Sequence, residues 1–358
     1  MTTLTAEKIK DYALNLGYNK VGIISVDKLA GYYDILATRK NEYPFHYNLL
    51  AKQVTVEMPE AKSVIVLVMD YYQKEFPESL KKIIGKLYLS RFYMPPAGYI
   101  GNARLQLMKD FLTADGLAIN SDIRLPGRWA AINAGLTTYG KNNFAYTEES
   151  GSFISISTIL VDKVFDYDQP SKELTESKGI KCPENCKACV DACPTKALFA
   201  PNKLDAHKCI AFNHWTTQEG RENVTTFISL DVREGMVGRI HGCDVCQDAC
   251  PRNQKKLKEY RQADAYIAKK APEITLSAVL NMSEEYFQQT IRPIMFNYIT
   301  DKRYLMRNAA IAMGSLKDEA FVGDLAVALD NPDPMVKEAV VWALTAIGGP
   351  KAKALLEK

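Results

Sequence analysis

The chain has 358 residues, 47% of them hydrophobic and 24% charged, with a formal net charge of +3. A chain of this length and mix buries two or three ordinary cores, and so small a charge excess does not by itself mark a nucleic-acid partner. The longest apolar run, about 64–69, is far shorter than the roughly 20 residues of a membrane helix, so no membrane partner is expected.

The opening MTTLTAEKIKDYALNLGY mixes acids and lysines with apolar positions. It predicts an amphipathic helix over 5–17 capped by Thr5, not an apolar export signal. The expected location is the cytoplasm, where thiols stay reduced. Runs of β type follow at 20–25 and 63–69, and helix alternating with strand suggests an α/β layer. The segment RFYMPPAGY (91–99) breaks regular structure with Pro95, Pro96 and Gly98, as loops at a surface or over a ligand do. After Arg128, WAAINAGL predicts a helix that ends at Gly135, and TTYGKNNFAYTEESGSF is rich in turn formers. Residues 153–161 alternate closely enough for a half-buried strand. The polar stretch 162–180, with Pro170, is expected to be a linker.

All eight cysteines then fall in one segment: Cys182-x3-Cys186-x2-Cys189-x3-Cys193-Pro194, Cys209, and Cys243-x2-Cys246-x3-Cys250-Pro251. Eight thiolates are what two [4Fe–4S] clusters require. A helix-borne Cys-x2-Cys-x3-Cys run cannot wrap all its thiolates around one cubane, and in two-cluster ferredoxins the cysteine before the proline serves the other cluster. On that pattern Cys182, Cys186, Cys189 and Cys250 hold one cluster, and Cys193, Cys209, Cys243 and Cys246 the other. Structural zinc also uses four-cysteine sets with two-residue spacing, and disulfides are the remaining alternative. The two Cys-Pro endings and the use of every cysteine favour iron–sulfur.

Beyond the cysteines the chain reads as helical. Residues 255–270 hold six Lys or Arg against two acids, which suits a solvated helix face as well as a phosphate-binding one. LMRNAAIAMGSL (305–316) and MVKEAVVWALTAIG (335–348) superpose at an offset of 30 residues, with Asn331-Pro332-Asp333-Pro334 ahead of the second copy. Paired helices of this kind resemble HEAT-type repeats, whose stacked layers make binding surfaces. No Walker loop and no Gly-x-Gly-x-x-Gly is present, so a nucleotide bound by those fingerprints is not expected. His46, His207, His214 and His241 suit local structure better than catalysis.

AGLTTYGKNN (134–143), GSF (151–153), CKACVDACPTKAL (186–198), LDAHKCI (204–210), HGCDVCQDACPRN (241–253) and RNAAIAMG (307–314) together resemble the epoxyqueuosine reductase family, in the right order over essentially the whole chain. The resemblance implies an α+β multidomain protein. Its parts are a nitroreductase-like α/β cobalamin-binding domain (1–165), a two-cluster bacterial ferredoxin-like domain (166–260) and a C-terminal HEAT-like α-helical domain (261–358) that holds the tRNA anticodon stem-loop. The reaction implied is the two-electron removal of the epoxide oxygen from epoxyqueuosine, with base-off cobalamin, an external low-potential electron donor and a monomeric chain.

Carried over residue by residue, the resemblance puts Arg128, Gly140, Lys141, Asn142, Gly151 and Ser152 at the cobalamin. Gly140 and Lys141 are expected to allow close approach to the corrin's amides or phosphate. The family's proton-donating aspartate, fourteen residues before Gly135, falls on Ser121, one place from Asp122. Asp122 is therefore the expected donor, with Tyr139 the alternative and Tyr146, Tyr93 and Tyr99 behind it. Two further departures are the first cysteine spacing, three residues where the family usually has two, and Thr137-Thr138 where it has Gly-Trp. Asp205-x-His207 lacks the glycine of the cobalt-binding Asp-x-His-x-x-Gly motif, so no histidine is expected on cobalt. The rival expectations are a reductive dehalogenase-like or other small-molecule reductase and an electron-transfer iron–sulfur protein without a substrate of its own.

Overall fold

The computed structural model describes residues 4–41, 58–92, 100–121, 125–177, 180–215, 227–295 and 301–357. The chain forms two compact units, one of residues 1–71 with 97–186 and one of 72–96 with 187–358. None of its described helices is long and apolar enough to cross a membrane.

The first unit is built on a four-stranded sheet in the order β1-β2-β6-β3, formed by Lys20–Ser25 (β1), Ser63–Asp70 (β2), Ile119–Asn120 (β3) and Ile154–Val161 (β6). Every pairing is antiparallel. All eight residues of β2 are buried, which explains why SVIVLVMD is apolar on both faces rather than alternating. Val64 and Val66 share a core with Leu160 and with Ala130, Ala131 and Ala134 at the expected helix, observed as Gly127–Asn133. The backbones come so close here that a Cβ on Gly22 would lie 2.9 Å from the Cβ of Ala134. The first helix, Ala6–Asn15, is capped by the Thr5 hydroxyl, which accepts from the amide of Lys8. Its buried Ile9 and Ala13 are four residues apart, on one face.

Two expectations need correcting in this unit. Strand β6 does not alternate: its last three residues are buried and its first five are half-buried. The stretch expected to be a linker is docked at Asp168, whose carboxylate accepts from the Lys10 ammonium at 2.6 Å and the Ile23 amide at 2.8 Å. Much of the segment is exposed, as its polar sequence suggests, and Asp168 is what ties it to the edge strand β1. The segment 91–99 lies, from residue 93 onward, outside the described residues.

In the second unit Glu75 joins the early segment to the chain around 261. Its carboxylate accepts from Lys81 at 2.6 Å, from the Tyr72 hydroxyl at 2.9 Å and from Arg261 at 2.8 Å. Partial burial opposes ionisation, yet these three donors bring the carboxyl down from 4.5 to about 2. A carboxyl lowered in the folded chain stabilises it fully above its unfolded pKa, and that contribution fades as pH falls from about 4.5 towards about 2. Glu75→Gln is expected to flatten the pH dependence of the urea midpoint in that window and to leave its shape at neutral pH unchanged.

The basic stretch 255–270 is divided between Gln254–Lys258 and Ala265–Lys270. Three of its six cations have acidic partners: Lys256 with Glu259, Arg261 with Glu75 and Lys270 with Glu273. Lys255, Lys258 and Lys269 remain exposed. The two repeat helices are Lys302–Leu316 and Pro334–Ile347, capped by Asp301 and Asp333. Arg303 bridges both caps, at 2.8 Å to Asp301 and 2.9 Å to Asp333. The helices pack through small residues, and a Cβ on Gly314 would stand 2.7 Å from the Cα of Ala343.

Candidate metal centre and the 137–146 turn

Two short helices carry the repeated cysteine runs. Ala188–Ala192 contains Cys189 and stops at Cys193, while Val245–Asp248 contains Cys246 and leads to Cys250. Cys193 (φ −64, ψ 114) and Cys250 (φ −76, ψ 124) both leave helical backbone. The ring of the following proline pushes the preceding residue out of the helical region. Ending the helical backbone at the cysteine is the physical work of the two Cys-Pro pairs.

The thiols of Cys193 and Cys209 are electrostatic neighbours, as are those of Cys209 and Cys243, and Cys246 senses Cys243, Cys209 and also Cys189. Cys193, Cys209, Cys243 and Cys246 thus lie in one neighbourhood, with Cys189 of the other set beside them. Burial pushes the Cys243 thiol up to about 12, an effect that Arg239 opposes, and pushes those of Cys209 and Cys246 up as well. Such thiols are protonated at neutral pH without metal, so loading must release protons. Among the described residues no three His, Cys, Asp or Glu gather closely enough to hold a single metal ion. Neighbouring buried thiols with the Arg239 guanidinium beside them suit an anionic centre. Cys182 and Cys186 stand on the first unit and Cys189 and Cys250 on the second, and their grouping rests on the spacing of the cysteines.

The loop after Cys243 is anchored by a buried lysine that the sequence reading passed over. The Lys86 amide donates to Asp244 at 2.7 Å and its ammonium to Asp248 at 2.6 Å. His214 and His241 are buried with their rings 6.5 Å apart. Burial takes His241 down to about 3 and His214 well below its ordinary value. Both are neutral imidazoles in the packing, in keeping with a local structural role, and His207 is exposed. His46 lies outside the described residues, as does Asp122, the expected proton donor.

The expected cobalamin residues Arg128 and Gly140–Asn142 do meet in one place, with Tyr139. Strands β4 (Thr138–Tyr139) and β5 (Ala145–Tyr146) form a hairpin closed by Gly140, whose amide donates to the Phe144 carbonyl at 2.9 Å. Arg128 donates to the carbonyl of Asn143, which has a positive φ of 64. Packing inside the hairpin requires glycine at Gly140: a Cβ there would lie 2.4 Å from the Tyr146 ring. Asn142 is buried and donates to the Tyr146 hydroxyl at 2.8 Å. The Lys141 ammonium is not aimed at a cofactor phosphate but at the first cysteine loop, donating to the carbonyls of Pro183 at 2.7 Å, Glu184 and Cys186 at 3.2 Å. Gly151 pairs with Thr147 across a bridge, and Ser152 is buried behind it. The side chains of Lys141 and Asn142 thus have partners inside the chain. Burial raises Tyr139 to about 12, with Arg128 opposing the rise, so its hydroxyl keeps its proton at neutral pH.

Lys141 has a checkable consequence. Hydrogen bonds from a charged donor are worth about 1.5–3 kcal/mol each, and three carbonyls of the 183–186 loop depend on this one. Lys141→Met is expected to raise amide hydrogen exchange in that loop by at least about tenfold, with the rest of the sheet unchanged.

A double set of cluster-type thiols, carried in one chain with an antiparallel sheet unit and a HEAT-type helical end, defines an iron–sulfur oxidoreductase. Residues 181–253 match the 4Fe-4S double cluster binding domain family, and 294–358 match the HEAT repeats family. The chain is 27% identical to the epoxyqueuosine reductase of Bacillus subtilis (strain 168), over 98% of this chain and 90% of that one. To the epoxyqueuosine reductase of Escherichia coli (strain K12) it is 28% identical, over 95% and 88%. A solved structure of the Bacillus subtilis enzyme, with its catalytic aspartate loop swung out of the active site, matches at a TM-score of 0.77 and 26% identity, covering 98% and 94%. An epoxyqueuosine reductase solved with an epoxyqueuosine-modified tRNA-Tyr stem loop shares the fold at a TM-score of 0.76 and 24% identity, covering 98% and 93%. The chain is a homologue of the epoxyqueuosine reductases.

Proposed function

We propose that the chain reduces epoxyqueuosine in tRNA to queuosine in the cytoplasm, working as a monomer with two [4Fe–4S] clusters, base-off cobalamin and an external low-potential electron donor. The observation that carries this reading is similarity to epoxyqueuosine reductases over nearly the whole chain, from the sheet unit through the cysteines to the repeats. The gathering of Cys193, Cys209, Cys243 and Cys246 supports its cluster component.

Opening an epoxide to a carbon–carbon double bond and water consumes two electrons and two protons. The clusters, bound by Cys182, Cys186, Cys189 and Cys250 and by Cys193, Cys209, Cys243 and Cys246, would supply low-potential electrons one at a time. Cobalamin enters this reading through the family resemblance alone. Asp122 is assigned the proton to the departing oxygen, because burial raises the alternative donor, Tyr139, to about 12, far from the pKa that suits a general acid at neutral pH. Tyr139, which keeps its proton, is assigned a hydrogen bond to that oxygen. The RNA backbone is assigned to the helical end, with the exposed Lys255, Lys258 and Lys269 facing phosphates.

Anaerobic reconstitution with iron, sulfide and cobalamin tests the reading before any turnover is attempted. About eight irons and one base-off cobalt per chain are expected. The same iron with no retained cobalt would overturn the cobalamin part and leave the electron-transfer protein as the better account.

A further inference from the structure

The Lys302–Leu316 helix is buried along most of its length by small and apolar side chains, yet it buries Arg307 at 1% exposure and Asn308 at 0%. A buried amide is costly unless its donors and acceptor are met, so the partners of Asn308 show what it is for. Its Oδ1 accepts from Arg307, Nε at 3.0 Å and Nη2 at 2.8 Å. Its Nδ2 donates to two carbonyls from different parts of the chain, Ile240 at 2.8 Å and His214 at 3.4 Å. Arg307 adds a contact from Nη2 to the Asn213 carbonyl at 3.4 Å.

Each carbonyl belongs to a segment locked to a cysteine. His214 and Asn213 are on the helix Ile210–Trp215, which starts directly after Cys209. The Asn213 side chain donates to the carbonyls of Cys209 at 2.9 Å and His207 at 2.7 Å, which fixes that helix to its cysteine. Ile240 lies three residues before Cys243. Its amide and that of His241 both donate to the Ile83 carbonyl, and Gly242 makes the intervening turn at φ +73. One side-chain amide therefore spans the segments that carry Cys209 and Cys243, whose thiols are electrostatic neighbours.

We infer that Asn308 is the positioning residue of one of the two clusters: from the first repeat helix it clamps the Cys209 and Cys243 segments at the separation that cluster requires. The inference rests on the assignment of Cys193, Cys209, Cys243 and Cys246 to a single cluster. It makes the helical end part of the wall of a redox centre as well as a surface for RNA.

The test compares the full chain with Asn308→Asp, which keeps the size and removes the donors, and with Asn213→Ala, which cuts the tie to Cys209 at a half-exposed site. All are reconstituted anaerobically with iron and sulfide, then followed by iron content and by redox titration of the electron paramagnetic signals. With about eight irons in the parent chain, each variant is expected to lose or displace one of the two signals while the other titrates as in the parent. A packing defect without this positioning role would lower stability and leave both potentials in place. Unchanged iron and unchanged potentials in Asn308→Asp would overturn the inference. Should that variant fail to fold, Asn213→Ala decides: one displaced signal supports the clamp, and two parental signals refute it. A parent chain holding no more than about four irons would instead refute the two-cluster assignment itself.

Discussion

Cys193→Ser and Cys243→Ser are expected to deplete the same cluster, leaving about four of eight irons in each case and the same electron paramagnetic signal missing. Cys186→Ser should remove the other signal. The expectation follows from the backbone at Cys193, which leaves its helix at the residue before Pro194 and brings its thiol beside Cys209. Electron delivery fails without an intact pair of clusters, so turnover in all three variants is expected to fall below detection. The informative comparison is between Cys193 and Cys186. Loss of one common signal in these two would mean that each run closes on its own cluster, against the reciprocal arrangement.

The second large effect concerns the joint between the cysteine segment and the repeats. The Arg233 side chain is 1% exposed, and it makes a two-pronged ion pair with Glu338, both bonds at 2.8 Å. Its guanidinium stands 4.6 Å from the Phe227 ring centre and 5.5 Å from that of Trp342. Removing the carboxylate alone strands a buried cation, which in fully buried pairs costs about 3–5 kcal/mol. Because Glu338 is itself 46% exposed, water recovers part of that loss, and Glu338→Leu is expected to cost about 2–3 kcal/mol. Scanning calorimetry should show this as a fall of about 4–12 °C in the second unit's transition. Arg233→Met with Glu338→Leu should recover much of the loss, because no charge is then left buried. A double variant as unstable as the single one would show that Arg233 acts through packing instead.

Features that depend on local spacing were legible in the chain. Thr5 before an amphipathic run, the apolar segments that became β1 and β2, the Cys-Pro endings and the repeated helices at 305 and 335 each encode their structure within a few residues. What was not legible depends on partners distant in sequence. Nothing in 162–180 indicates that Asp168 meets the Ile23 amide, and β6 lost its alternation because it pairs with β2 and β3 at the centre of the sheet. Gly140 and Lys141 look like ligand contacts because glycine and lysine commonly serve that role. In the fold Gly140 is also set by the Tyr146 ring and Lys141 by the 183–186 carbonyls. Arg307-Asn308 was visible as a family-like motif, and the signal that could have singled it out is a polar pair inside an otherwise small and apolar helix face. Its meaning required knowing which two carbonyls it meets.

The most direct measurement of the central claim is mass spectrometry of an epoxyqueuosine-containing tRNA stem loop after anaerobic incubation with the fully loaded chain and a strong reductant. Loss of one oxygen from the modified nucleoside, dependent on both clusters and on cobalamin, is the predicted result. An unchanged nucleoside, in a preparation with about eight irons and bound cobalt, would contradict it.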